Sequence, residues 1–267
     1  MRILRLYAPS LIGDHTLCYV HSNAKGESCV NEVPIKIRYA AAGEPLDSDE
    51  AKSAMTIVLP HGASIEDGTF LSTGDALLRW NGESKSFDVP RTGFLSVSAK
   101  AEIWRPIKTA VLTISDKGSR GEREDTAGPE LARLASNLGC VIDDKKIVPD
   151  EPAEITAAVK KWSAEGYNLV LTTGGTGLSP RDATPEALLS IADKVVPGFG
   201  EMMRMKTLVH TPRAFLTRSV AVITGRTLTI AFPGSRRGAA QCFEAISEGL
   251  RHGVETLAGW EGECGNH

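Results

Sequence analysis

Three segments of this sequence set glycines, hydroxyls and carboxylates close together in patterns that suit phosphate chemistry. In the first, Leu171-Thr172-Thr173 runs into Gly174-Gly175-Thr176-Gly177 and on through Ser179-Pro180-Arg181-Asp182-Ala183-Thr184-Pro185-Glu186. Three glycines in four positions let backbone amides approach an anion unobstructed, Thr176 adds a donor, and a helix N-terminus beyond the loop adds its dipole. The segment is no Walker loop, because no Lys-Ser/Thr pair closes it, and it lacks the GxGxxG dinucleotide spacing. Glycines that only turn the chain, with Thr184 and Pro185 as N-cap and N1 of the next helix, would explain the same letters.

The second segment, Phe232-Pro233-Gly234-Ser235-Arg236-Arg237-Gly238, repeats the order of strand end, turn, hydroxyl and helix start. The third, Ile114-Ser115-Asp116-Lys117-Gly118-Ser119, ends an apolar run with a hydroxyl and a carboxylate on one edge. Two aspartates join these loops. Asp150 follows Ile147-Val148-Pro149, and Asp182 closes the Gly-rich loop, so both are expected at the carboxyl edge of neighbouring strands. Phosphoryl transfer needs charge neutralised at phosphorus, usually by Mg²⁺ on carboxylates and substrate oxygens, and a pair of aspartates could hold that ion. Capping before Pro152 is the plainer role for Asp150, an ion pair with Arg181 for Asp182, and an N-cap for Asp125.

These loops need a sheet to hold them. From residue 107 onward, short apolar runs such as Ala110-Val111-Leu112-Thr113-Ile114 alternate with helical segments, as in a mostly parallel sheet flanked by helices. The helices are expected from Pro129 to a stop at Gly139, over 152–165 with Ile155, Ala158, Val159 and Trp162 inward, and over 238–257. Residues 219–223 and 228–232 read as a hairpin. The first 105 residues read differently. Leu95, Val97, Ala99, Ala101 and Ile103 alternate with polar residues as in one half-buried strand, and so do Val33, Ile35, Ile37 and Tyr39. Asn81-Gly82 suits a type I′ hairpin turn, and only residues 47–55 could form a short helix. The reading is an α/β domain over 107–260 preceded by a small all-β domain over 1–105, with Pro106 ending the β ladder.

At 267 residues the chain has room for two modest domains, with 42% hydrophobic residues and a net charge of −3. No basic excess calls for nucleic acid, and no apolar run is long enough for a membrane helix. A cytoplasmic protein is expected. Five cysteines without a CxxC pair predict reduced thiols, and six scattered histidines carry no metal-ligand spacing.

The succession TISDKGSRGEREDTAG, IVPDEPAEI, LVLTTGGTGLSPRDATPEA, VPGFGEMMR, AFLTRSVAVI and LTIAFPGS, over about residues 107–257, resembles the molybdopterin adenylyltransferase family, which includes the G domain of gephyrin. The resemblance implies Mg²⁺-dependent transfer of AMP from ATP to the terminal phosphate of molybdopterin. It also implies a homotrimer that can contact the molybdate-insertion protein. By position, Asp150 and Asp182 match the family's catalytic and Mg²⁺-handling aspartates. Ser115, Asp116, Gly174, Gly175, Thr176, Gly177, Arg181, Thr184, Pro233, Gly234 and Ser235 match its nucleotide and pterin pocket, and Glu201 and Arg204 match its GFGExMR block. Thr217 stands where the family commonly has serine, with Arg218 kept. The first half lies outside the resemblance. Its stretch Ser72-Thr73-Gly74-Asp75-Ala76-Leu77-Leu78 is weakly similar to part of a MOSC β-barrel, and a docking or oligomer-stabilising module is the expectation there.

Overall fold

The computed structural model describes residues 2–3, 5–7, 17–30, 33–34, 36–41, 54–59, 65–96 and 100–260. The chain divides into two compact units, Met1–Pro106 and Ile107–His267.

In the first unit the described elements are all strands, in three sheets. Trp80, Phe87, Met55, Ile37, Ile57, Leu71 and Leu78 share one buried cluster. The expected single strand from Leu95 to Ile103 is two. Gly93–Ser96 pairs with Leu17–Ser22, whereas Lys100–Trp104 pairs with Phe70–Ser72 in another sheet. Alternation fixes which face a side chain takes, not which partner its strand takes. The hairpin at Asn81 exists, but with Ser86 opposite Asn81 its loop has four residues. Lys85, at φ 50°, takes the left-handed position instead of Gly82, so a longer loop replaces the two-residue I′ turn. The expected short helix falls partly on residues 47–53, outside the described residues, and Met55 lies in the strand Ala54–Leu59.

The second unit is a six-stranded sheet. Its strands are β1 (Ile107–Ile114), β2 (Cys140–Val148), β3 (Leu169–Thr173), β4 (Lys194–Val195), β5 (Ala221–Thr224) and β6 (Thr227–Phe232), in the order β2-β1-β3-β6-β5-β4. The β2-β1, β1-β3 and β3-β6 pairs are parallel; β5 pairs antiparallel with β6 and with β4. The mostly parallel α/β architecture expected from the apolar runs is therefore present. The helices are α1 (Asp116–Ser119), α2 (Ala127–Ser136), α3 (Pro152–Ala164), α4 (Thr184–Leu189), α5 (Pro197–Thr207) and α6 (Arg236–Ala258).

Apolar side chains leave both faces of the central strands, as burial between two helix layers requires. Ile107 and Val111 of β1, Leu169 and Leu171 of β3, and Ile230 and Phe232 of β6 pack with Leu131, Met203, Phe243 and Leu250 from α2, α5 and α6. The intervening residues Ala110, Leu112, Ile114, Val170 and Ala231 pack with Ile155, Val159, Trp162 and Leu188 from α3 and α4. The four described cysteines are buried and free. No described helix is long and apolar enough to cross a membrane.

Candidate functional site

The chain leaves β1 toward β2 on one side and later returns as β3 on the other. Open α/β sheets bind ligands outside the strand carboxyl ends at such a reversal. A cavity of about 330 Å³ lies there, lined by Ser115 after β1, Asp150 after β2, Gly174, Gly175 and Asp182 after β3, and Gly234 and Ser235 after β6.

Glycine is needed where these loops meet. Gly174 sits at φ +106°, and a Cβ on it would fall 2.1 Å from the Ile114 carbonyl oxygen. Its N–H donates to the Phe232 carbonyl at 3.1 Å, so it ties two loops together and is not offered to an anion. The Gly175 and Gly234 N–H groups make no hydrogen bond among the described residues. Thr184 is not the N-cap expected for α4. Ala183 is, and the buried Thr184 hydroxyl instead donates to the Gly174 carbonyl at 2.9 Å, bracing the turn from below. The Ser115 and Ser235 hydroxyls accept from the Gly118 and Gly238 amides at 3.0 and 3.1 Å, capping α1 and α6, and each keeps its own O–H to donate.

The carboxylates are held by backbone. Asp116 N–H donates to Asp150 Oδ2 at 2.8 Å and Asp150 N–H donates to Asp116 Oδ1 at 3.1 Å, a reciprocal pair between the β1 and β2 loops. Asp150 therefore does not cap α3, whose N-cap is Glu151. Burial pushes the Asp150 carboxyl above its ordinary range; the charges of Asp116 and Asp182 push the same way, against the Asp116 amide and Arg181. Arg181 does not pair with Asp182. Its Nη2 reaches Asp116 Oδ1 and Glu151 Oε1, each at 2.9 Å, while Asp182 Oδ2 accepts from the Ser179 amide at 2.8 Å. Arg181, more than the Asp150 amide, holds the Asp116 carboxyl below its usual range. Bonds to a depressed carboxylate are present above its unfolded pKa and are lost as pH falls through the folded value. Arg181→Ala is expected to return the Asp116 carboxyl upward in a carbon-13 NMR titration; an unmoved titration would show that Arg181 does not set it.

The lining carries Glu124, Asp125, Asp150 and Asp182 against Arg123 as its one basic side chain. Residues 110–252 match a family described as a probable molybdopterin binding domain. The chain belongs to that family. A molybdenum cofactor biosynthesis bifunctional protein of Synechococcus elongatus is 33% identical over 72% of this chain, which spans only 57% of that relative's length. A Helicobacter pylori protein named molybdopterin adenylyltransferase is 37% identical over 57% of this chain and 89% of its own. Among solved structures, the molybdopterin biosynthesis enzyme MoaB from Thermus thermophilus is 42% identical with a TM-score of 0.55, covering 57% of this chain and 97% of its own. The family match leaves residues 1–106 outside it.

Within the family domain, not every residue expected at the pocket lines it. Asp116 and Arg181 stand next to the lining through the bonds above. The Thr176 hydroxyl accepts from Thr217 at 3.3 Å, and Arg204 donates to the Thr217 and Ser219 carbonyls at 3.4 and 3.2 Å. Neither faces the cavity, and Gly177, Pro233 and the exposed Glu201 are likewise outside its lining. Conversely, Thr113, Arg123, Glu124 and Thr126 line it without having been singled out, and Asp125 lines it although only capping was expected of it. Asp125 does both. Its Oδ1 accepts from the Ala127 and Gly128 amides at 3.1 and 2.9 Å, and its Oδ2 accepts from the Thr113 hydroxyl at 2.6 Å. The available signal was that α2 starts beyond β1 at the same carboxyl edge, which puts a carboxylate just before its first turn beside the cavity.

Proposed function

We propose that the second unit is a nucleotidyltransferase of molybdenum cofactor biosynthesis that moves AMP from ATP to the terminal phosphate of molybdopterin. One observation carries this reading furthest. The cavity sets the unbonded amides of Gly175 and Gly234, suited to phosphate, beside an excess of carboxylates that would repel it. A site of that make-up accepts a triphosphate only together with a cation. Asp150 and Asp182 would hold it, consistent with Mg²⁺ sites built from one or two carboxylates plus substrate phosphates; among the described residues no larger ligand cluster exists. When bound, Mg²⁺ supplies charge neutralisation at the reacting phosphate.

In this scheme an oxygen of the pterin's terminal phosphate attacks the α-phosphorus of ATP. The new P–O bond forms as the bond to the β-phosphate oxygen breaks, and pyrophosphate leaves with the electron pair. The nucleophile is already ionised, so the chain's contribution is positioning and electrostatics, not proton abstraction. The Gly175 and Gly234 amides and the Ser115 and Ser235 hydroxyls hold phosphate oxygens. Arg123, on the α2 side of the cavity, offsets part of their charge. A homotrimer is part of the proposal; Met205, Val209 and Phe215 are exposed apolar residues around α5 that association could cover.

Incubation with ATP, Mg²⁺ and molybdopterin is expected to release pyrophosphate in proportion to adenylylated pterin formed. Saturable pterin binding without pyrophosphate would instead make the chain a non-catalytic pterin carrier of the same fold.

A further inference from the structure

Arg218 lies outside the cavity lining, on the segment between α5 and β5, yet it grips the loop that carries Asp182. Its Nε donates to the Gly177 carbonyl at 2.7 Å and its Nη2 to the Asp182 carbonyl at 2.6 Å, while Nη1 meets the Glu186 carboxylate on α4. Its backbone N–H donates to the Thr176 carbonyl at 2.8 Å. One residue thus engages four points between Thr176 and Glu186. We propose that Arg218 is the positioning residue of Asp182, a splint that fixes the Gly-rich loop so that the aspartate reaches the cavity.

The splint is itself anchored. Arg204 on α5 donates to the carbonyls on either side of Arg218, those of Thr217 and Ser219. The Thr217 hydroxyl bonds both Ser219 and Thr176. Gly200 lets α5 come this close, since a Cβ there would lie 2.4 Å from the Ser219 carbonyl oxygen. This gives Arg204 a role that does not require touching substrate: it seats the segment from which Arg218 reaches. A planar guanidinium satisfies three acceptors at fixed angles, whereas the lysine ammonium is a point charge on a flexible stem. Geometry, not charge, is what Arg218 provides.

The role of Asp182 in transfer rests on the proposed transferase reading; the grip of Arg218 on the loop does not. The experiment therefore uses two readouts on the full chain: hydrogen exchange of the peptide spanning 175–184, and steady-state pyrophosphate release with ATP and molybdopterin. Asp182 N–H is bonded to the Ser179 carbonyl and Ser179 N–H to the Asp182 carboxylate, so their exchange reports the loop. Arg218→Gln and Arg218→Lys are each expected to speed exchange there roughly tenfold while β1, β3 and α6 stay protected. Both should lower kcat by about a hundredfold, the usual scale for misplacing a catalytic group by an ångström, with the KM for ATP little changed. Glu186→Gln, which leaves both carbonyl bonds in place, is expected to behave nearly as the parent protein. Unchanged exchange in Arg218→Lys, or full recovery of kcat by lysine, would overturn the splint. If Arg218→Gln fails to fold, Arg218→Lys, which keeps the stem and the charge, carries the test alone. A parent protein that releases no pyrophosphate would overturn the transferase reading and leave the exchange result to decide the splint.

Discussion

Asp150→Asn is expected to lower pyrophosphate release by about two to three orders of magnitude, the scale for removing one preorganised electrostatic group from a reacting phosphate or oxyanion site. The same substitution is expected to raise the thermal midpoint. Burial, with Asp116 and Asp182 adding to it, raises the Asp150 carboxyl pKa. The native state thus binds the proton more tightly than the unfolded chain does. Stability therefore falls as pH climbs from the ordinary aspartate value through the raised one, and it stays lower at neutral pH. Asparagine carries no charge, and its side-chain oxygen can still accept the Asp116 amide that Asp150 accepts at 2.8 Å. The gain in midpoint should be a few degrees at neutral pH and should vanish well below the ordinary aspartate value, measured by calorimetry across a pH series. Asp182→Asn is expected to cut turnover about as far while leaving pterin affinity largely intact. Equal losses in turnover and pterin binding would show that Asp182 holds the substrate and does not serve the reacting phosphate.

That stability should rise as activity falls follows from how the carboxylates were assembled, and the same assembly marks what a reader of the sequence can and cannot see. Asp150 and Asp182 were visible because each ends a loop after an apolar run, and parallel strands bring such loop ends to one edge. Both line the cavity. Their partners were not visible. Arg181 precedes Asp182 in sequence, yet it reaches across to Asp116 and Glu151, a choice set by the spacing of the β1 and β2 loops. Thr184 had the residue type and place of an N-cap, but burial at the turn sends its hydroxyl to the Gly174 carbonyl. In the first unit, the alternation from Leu95 to Ile103 told which faces are apolar, while the division between two sheets depends on long-range pairing. Local pattern gives element type and face; which loop a side chain bonds is decided by tertiary contacts.

Gly174→Ala tests the point at which that tertiary arrangement is least forgiving, and it is expected to be the most destabilising single-methyl change in the site. At φ +106° the backbone lies where an L side chain costs about 1–3 kcal/mol. The added Cβ would also meet the Ile114 carbonyl oxygen at 2.1 Å. That oxygen is backbone at the end of β1, with no flexible side chain to swing away, so relief requires β1 and β3 to part or the loop to rotate. Overpacking of this kind adds about 1–3 kcal/mol more. The combined loss is a large share of the roughly 5–15 kcal/mol that holds a domain folded. Rotation of the loop would also break the Gly174 N–H bond to Phe232 and the Thr184 bond to the Gly174 carbonyl, uncoupling the β3 and β6 loops. Chemical denaturation of Gly174→Ala should therefore show a much lower midpoint than the parent. Gly121→Ala provides the control: φ is +73° there, but nothing lies within 4 Å of the added carbon, so only the conformational cost applies. If both alanines lose the same stability, the close approach of the β1 and β3 backbones at Gly174 is not what demands glycine.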